Sequence, residues 1–108
     1  AAHIYATLPN GAHGGTTIGT RQIPLRRGEW IELVQEIKLN TPGQDDGQIK
    51  VWANRQLVID ARQIVFRTDP TVRIDRIFFD VFYGGGDASW AAPQDTHIDF
   101  AAFKVSVD

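Results

Sequence analysis

The chain has no cysteine. Disulfides, thiolate metal sites and cysteine nucleophiles are excluded together, so packing alone must hold the fold. Serine is nearly as scarce, since Ser89 and Ser106 are the only two and neither stands in a nucleophile motif. The net charge of −2 gives no electrostatic case for nucleic acid or for an anionic membrane. No apolar run approaches the roughly 20 residues of a bilayer span, and no stretch has the form of a signal peptide. His3, His13 and His97 lack zinc-ligand spacing. GGTTIG and YGGGD lack the Lys and the strand-to-helix setting of a phosphate loop. Helical periodicity is missing too, apart from a weak instance at 62–66.

What remains is a pattern of alternation. The chain has 108 residues, 43% of them hydrophobic and 22% charged. That predicts one domain, residues 1–108, able to bury roughly two-thirds of its unfolded surface. It opens Ala1-Ala2-His3 without Met, as a processed or excised segment does.

The organising stretch is 36–60, EIKLNTPGQDDGQIKVWANRQLVID. Two alternating runs flank the turn formers Asn40, Thr41, Pro42, Gly43, Gln44, Asp45, Asp46 and Gly47, which predicts strand, long turn, strand. A second turn at Asn54-Arg55 returns the chain into 56–60. Ile31, Leu33, Ile37 and Leu39 fall on one face of the run 29–40, with Gln35 the odd member. Glu36 and Lys38 fall on the other. In 48–53, Ile49 and Val51 oppose Gln48, Lys50 and Trp52.

Further strands are predicted at 3–8, 20–25, 57–59, 64–66, 73–83 and 97–107, with a turn at Asp69-Pro70 and a Gly-rich loop from 84 to about 94. Turn signals about every ten residues predict an antiparallel β-sandwich or barrel.

The phrases GEWIELVQEIKLNTPGQDDGQIKVWAN, IVFR and IDRIFFDVFYGGGDASWAAPQDTHIDFAAFKV resemble the C-terminal half of jelly-roll polysaccharide lyases. The match is to the alginate lyases of polysaccharide lyase family 14 and the related glucuronan lyases. The resemblance runs from about Gly28 to the C-terminus. It implies an all-β antiparallel sandwich of jelly-roll (concanavalin-like) type. A jelly roll has eight strands where this chain predicts six or seven, so the sandwich is reduced or partial. The resemblance further implies a concave sheet that binds acidic polysaccharide, and β-elimination without a cofactor, outside the cell. In that chemistry a cation neutralises the uronate carboxylate, a base removes the C5 proton and an acid protonates the leaving oxygen.

The resemblance also distributes roles. The family's Tyr-x-Tyr strand matches His3-Ile4-Tyr5, so Tyr5 keeps the second Tyr and His3 replaces the first. The family's catalytic Lys and Arg lie upstream of that strand. Tyr5 is thus the expected base or acid, with His3 and Lys38 as helpers. The other reading of His3 and Tyr5 is an ordinary edge strand. Lys50, Trp52, Arg67 and Arg76 are the expected substrate-binding residues, although cross-strand Glu/Lys pairs on a solvated sheet look the same, and Arg76 opposite Asp80 also reads as an ion pair. Arg21, Arg26 and Arg27 read as groove-end contacts or as a solvated turn. Trp90 reads as packing its loop down or as reaching into ligand. Asp99 matches a residue that ligates calcium in related jelly rolls, a weak structural site because hard cations need six or more oxygens. Three functions follow: a polyuronate lyase, a carbohydrate-binding module without turnover, and a structural sandwich completed by another segment or subunit.

Overall fold

The computed structural model describes residues 2–6, 8–9, 16–21, 23, 25–81 and 85–107; the side chains at 2, 3, 5, 16, 20 and 21 lie outside the description. Five strands are present among these residues: β1 (Ala2–Ala6), β2 (Thr16–Arg21), β3 (Leu33–Lys38), β4 (Gly47–Ala53) and β5 (Gln56–Ile64). The fold is all-β with antiparallel pairing, and among the described residues the only helix is one 3-10 turn at Ala88–Trp90. The chain divides into two compact units, Ala1–Asp75 and Arg76–Asp108.

In the first unit β3, β4 and β5 form a sheet in that order, and β1 pairs with β2 as a separate ribbon. The hairpin β4–β5 turns on Asn54 and Arg55, whose φ values of 48° and 68° are both positive. Two such residues form the mirror-image turn whose twist matches that of the flanking strands. Asn54 extends the ladder by one rung: its N–H donates to the Glu32 carbonyl at 2.8 Å, and its Oδ1 accepts the Glu32 N–H at 3.0 Å. The longer β3–β4 connection is closed by Asp46, which accepts the Thr41 N–H at 2.6 Å and the Thr41 hydroxyl at 2.7 Å. Gly43 supplies the positive φ of 86° that the turn requires.

Alternation in β4 decides where the core lies. Gly47, Ile49, Val51 and Ala53 are buried, while Gln48, Lys50 and Trp52 are half-buried on the opposite face. Ile49 and Val51 join Ile59 and Ile64 of β5 in the core, covered by Ile4, Leu8 and Ile18. The β1–β2 ribbon therefore lies on the Ile49 side of the sheet, close over β5. A Cβ at Gly19 would stand 2.7 Å from Ile59 Cγ2. Burying each of these aliphatic side chains contributes about 1.5–3 kcal/mol.

Gly47 is the tightest point. A methyl group there would collide with the Ile64 carbonyl and stand 2.8 Å from the Phe66 ring. Backbone cannot rotate away as a side chain can. Gly47→Ala is expected to cost about 1–3 kcal/mol by overpacking, read as a lower urea midpoint; unchanged stability would mean that β4 and β5 separate freely there.

Several predicted elements take another form. The strand expected at 57–59 belongs to a longer one, β5, which runs on through Ile64 of the strand expected at 64–66 and leaves 65–66 outside it; Gln63 adopts a φ of 58° near its end. No helix forms at 62–66, because β5 is laddered to β4 as far as Ile64. The strand expected at 20–25 lies earlier, at Thr16–Arg21, where it pairs with β1. Leu33 and Ile37, on the apolar face of the run 29–40, are 57% and 41% exposed. The covering ribbon sits over β5 and leaves β3 open.

In the second unit no strand forms among the described residues, although the runs 73–83 and 97–107 were expected to be strands. Residues 82–83 lie outside the described residues; among the described ones, side chains rather than a backbone ladder join these runs. Phe79 meets Phe100 edge to face at 4.8 Å and Phe103 at 4.9 Å. Asp87 caps the short helix by accepting the Ser89 N–H at 2.8 Å. The Ser89 hydroxyl donates to the same oxygen. Both bonds hold the Asp87 carboxyl below its ordinary pKa, the hydroxyl most strongly. The Trp90 indole lies against Gly85, leaving no room for a Cβ there, so Trp90 packs its own loop down.

Candidate functional site: the polar face of the sheet

The face opposite the core is assembled by register. Val34 stands opposite Trp52, Glu36 opposite Lys50 and Lys38 opposite Gln48. On the other flank Lys50 stands opposite Asp60, and Trp52 opposite Leu57. Residues two apart along a strand lie about 6.7 Å from each other, and neighbouring strands lie about 4.8 Å apart. Gln48, Lys50 and Trp52 thus run down the middle of a strip, with Lys38 beside them.

The electrostatics of the strip follow from its pairings. Arg62 grips Asp60 with two hydrogen bonds, Nε to Oδ1 at 3.0 Å and Nη2 to Oδ2 at 3.1 Å. Those bonds hold the Asp60 carboxyl below its ordinary pKa, with a smaller attraction from Lys50. Asp60 is thereby neutralised by Arg62. Among the described residues neither Lys38 nor Lys50 has a carboxylate within ion-pair distance. Two ammonium groups and the unpaired carboxylate of Glu36 line the strip beside a half-buried indole. Asp46 lies at the Lys38 end, its carboxyl held low chiefly by the Thr41 hydroxyl and N–H and slightly by Lys38. Its contribution to stability is present above the ordinary carboxylate pKa and is lost as pH falls through the lowered value.

The other expected site residues are dispersed. Arg67 is a clip: its Nε donates to the Asn40 carbonyl at 2.9 Å and its Nη1 to the Val72 carbonyl at 2.7 Å. The guanidinium fastens one stretch of backbone to another. Arg76 belongs to the second unit, where it is exposed and has a partner. Asp80 accepts the Val81 N–H at 2.8 Å. Arg26 and Arg27 sit exposed on a turn closed by the Glu29 N–H, with Gly28 at a φ of 78°. Arg21 ends β2, its side chain outside the described residues.

His3 and Tyr5 lie on β1, opposite Thr20 and Thr17 of β2, and their side chains lie outside the described residues. β1 belongs to the ribbon on the core side of the sheet, whereas Lys38 is on the other face. The backbone therefore does not bring the Tyr5 strand to the Lys38 strip.

Asp99 is exposed, with His97 Nε2 3.9 Å from its Oδ2. Among the described residues no group of three or more His, Asp or Glu converges on a metal position. Among the described residues, those beside Asp99 do not make up the oxygen set that calcium needs. An open depression of about 550 Å³ lies beside the 39–46 turn, lined by Gly43, Gln44, Asp45, Asp46, Val65 and Thr68. Its two carboxylates set it against an anionic ligand.

One residue read only as a turn former has a larger part. Asn40 is wholly buried. Its Oδ1 accepts the N–H groups of Phe66 at 2.9 Å and Arg67 at 3.1 Å. Its amide nitrogen donates to the carbonyls of Thr41, Gln44 and Arg67 at 3.0–3.1 Å. It ties the end of β3 to the segment after β5 and so holds the Lys38 end of the strip.

An all-β sheet with one buried face and one polar face carrying free lysines and an indole is a scaffold that displays side chains from rigid strands. The chain matches the polysaccharide lyase 14 family over residues 5–103, through both units, and it belongs to that family. No curated protein and no solved structure matches it significantly.

Proposed function

We propose that the chain is a lyase-type domain of jelly-roll architecture that acts on an acidic polysaccharide, alginate or glucuronan, outside the cell. Family membership supports the reaction class. The observation that carries the substrate class is the strip of Lys38, Lys50 and Trp52: two cations outside ion-pair distance of any carboxylate among the described residues, beside an aromatic face that suits the apolar side of a sugar ring. Carboxylates spaced along a polyuronate would meet the ammonium groups, and a ring would stack on Trp52. Arg76 is a substrate-binding candidate of the second unit by itself, and Arg67 acts through the backbone it fastens.

The elimination would run as follows. A cation draws charge from the uronate carboxylate and acidifies C5–H. The base takes that proton, the electron pair forms the C4=C5 bond, and the C4–O bond breaks as an acid protonates the departing oxygen. Tyr5, as base or acid, with His3 and Lys38 as helpers, is the assignment that the family pattern supports. The placement of β1 and Lys38 on opposite sides of the sheet favours a second reading, binding without turnover.

One assay separates the two. The purified chain is mixed with alginate, polyglucuronate and polygalacturonate while ultraviolet absorbance is followed, since elimination creates an absorbing unsaturated uronate. Steady growth of absorbance that Tyr5→Phe reduces by a factor of about 10²–10⁴ is the expected result for the lyase. Growth untouched by Tyr5→Phe removes Tyr5 from the mechanism. A flat trace with retarded mobility in a polysaccharide gel leaves the binding module.

A further inference from the structure

The β3 strand has an open edge, and its alternation shows which groups line it. The Glu32 N–H and carbonyl both meet Asn54 on the β4 side. Val34, Glu36 and Lys38, at every second position, turn their backbone groups the same way. Leu33, Gln35 and Ile37 therefore turn three N–H and three C=O groups outward, where among the described residues no strand lies. Sheet edges are ordinarily blunted by bulges, proline or twisting. The β5 edge carries such a device in Gln63, with its φ of 58°. β3 pairs with β4 through six consecutive residues without a register shift and contains no proline. Its apolar side, Leu33 and Ile37, is uncovered as well.

We propose that β3 pairs with the β3 of a second copy of this chain, antiparallel about a two-fold axis at Gln35, to give a six-stranded sheet. Charge and the limits of β3 together select this register. With the axis at Gln35, Leu33 faces Ile37 of the second copy, Gln35 faces its equivalent and Glu32 faces Lys38. All the outward backbone groups then meet one another. An axis at Val34 sets Glu32 against Glu36, and an axis at Glu36 sets that carboxylate against itself; like charges directly opposite are destabilising. An axis at Ile37 draws in residues 39 and 40, beyond the end of β3, where Asn40 is already buried and bonded to Phe66 and Arg67. Axes between residues place the apolar side of one copy on the polar side of the other. The joined sheet would carry two Lys38–Lys50–Trp52 strips on one continuous face. That consequence rests on the proposed function; the pairing itself does not.

The test reads mass and cross-linking and needs no polysaccharide. In sedimentation, the wild-type chain is expected to rise with concentration toward twice its 12.0 kDa. Gln35→Pro removes only an outward N–H, a position where an edge strand tolerates proline, and should stay at 12.0 kDa. Glu32→Lys and Lys38→Glu should each weaken the dimer, and the double variant should restore it, which no folding defect would mimic. Opposed residues of a hydrogen-bonded pair have Cα atoms about 5.5 Å apart, within disulfide range. In this cysteine-free chain Gln35→Cys should therefore cross-link to itself under mild oxidation, while Lys38→Cys should not. A mass of 12.0 kDa at every concentration, or equal cross-linking at positions 35 and 38, overturns the proposal.

Discussion

Asn40→Ala is expected to lower stability by about 3 kcal/mol or more. The side chain serves five backbone groups: the N–H of Phe66 and Arg67, and the carbonyls of Thr41, Gln44 and Arg67. Each buried polar group left without a partner costs about 1–3 kcal/mol, reduced where water can enter. Against a total stability of about 5–15 kcal/mol this is a large fraction. The urea midpoint should fall with little change in slope, because the same surface is exposed on unfolding. Asn40→Asp sharpens the test. Its carboxylate would keep the two N–H partners but turn an oxygen toward three carbonyls. The environment therefore raises the folded-state pKa of that carboxyl, and the variant loses stability as pH rises from the unfolded-state value, about 3.9, to the raised one. Asn40→Asp should therefore stand above Asn40→Ala in acid, where the neutral carboxyl still serves both N–H groups and donates to one carbonyl, and lose that advantage toward neutral pH. An Asn40→Ala protein within 1 kcal/mol of wild type would mean that water fills the position without penalty.

The hairpins around β4 were legible because local chemistry decides them. Asn54-Arg55 and the run 40–47 are turn formers between alternating segments, and both turns stand there, with Gly47 already the first residue of β4. Ile49 and Val51 were legible as core because strand alternation is strict. Leu33 and Ile37 obey the same alternation yet stay exposed. Periodicity says which residues share a face and not whether anything covers it. The runs 73–83 and 97–107 carry the same lesson, since their apolar pattern does not by itself supply a ladder partner.

The site divides along the same line. Glu36, Lys38, Lys50 and Trp52 were placed on one face by parity alone, and the register confirms that face. What parity could not show is that Arg62 two residues on grips Asp60, the carboxylate that stands opposite Lys50. Nor could it show that the Arg67 guanidinium is occupied by two carbonyls. Both depend on side-chain rotamers, and Asn40 depends on a contact 27 residues away in sequence. Its one hint was an amide residue directly after the alternating apolar run.

Binding of a polyuronate to the strip should divide into a salt-sensitive and a salt-insensitive part. Lys38→Ala with Lys50→Ala removes both free cations. An exposed ion pair contributes about 0.2–1 kcal/mol, so several carboxylates engaged along a polymer make the loss about tenfold at low salt. That loss should shrink toward nothing near 1 M salt, where the screening length is about 3 Å. Trp52→Ala removes a stacking surface worth about 0.5–1.5 kcal/mol beyond its area, a several-fold to tenfold loss that salt should leave in place. Glu36→Ala should move affinity the other way, because it deletes the unpaired carboxylate opposite Lys50. Calorimetric titration with alginate and polyglucuronate across a salt series separates these terms. If the double lysine variant and Trp52→Ala both bind as wild type does, the ligand lies elsewhere. If Glu36→Ala weakens binding while the lysine variant does not, the strip acts as an acceptor for hydroxyl groups, and its ligand is a neutral polymer.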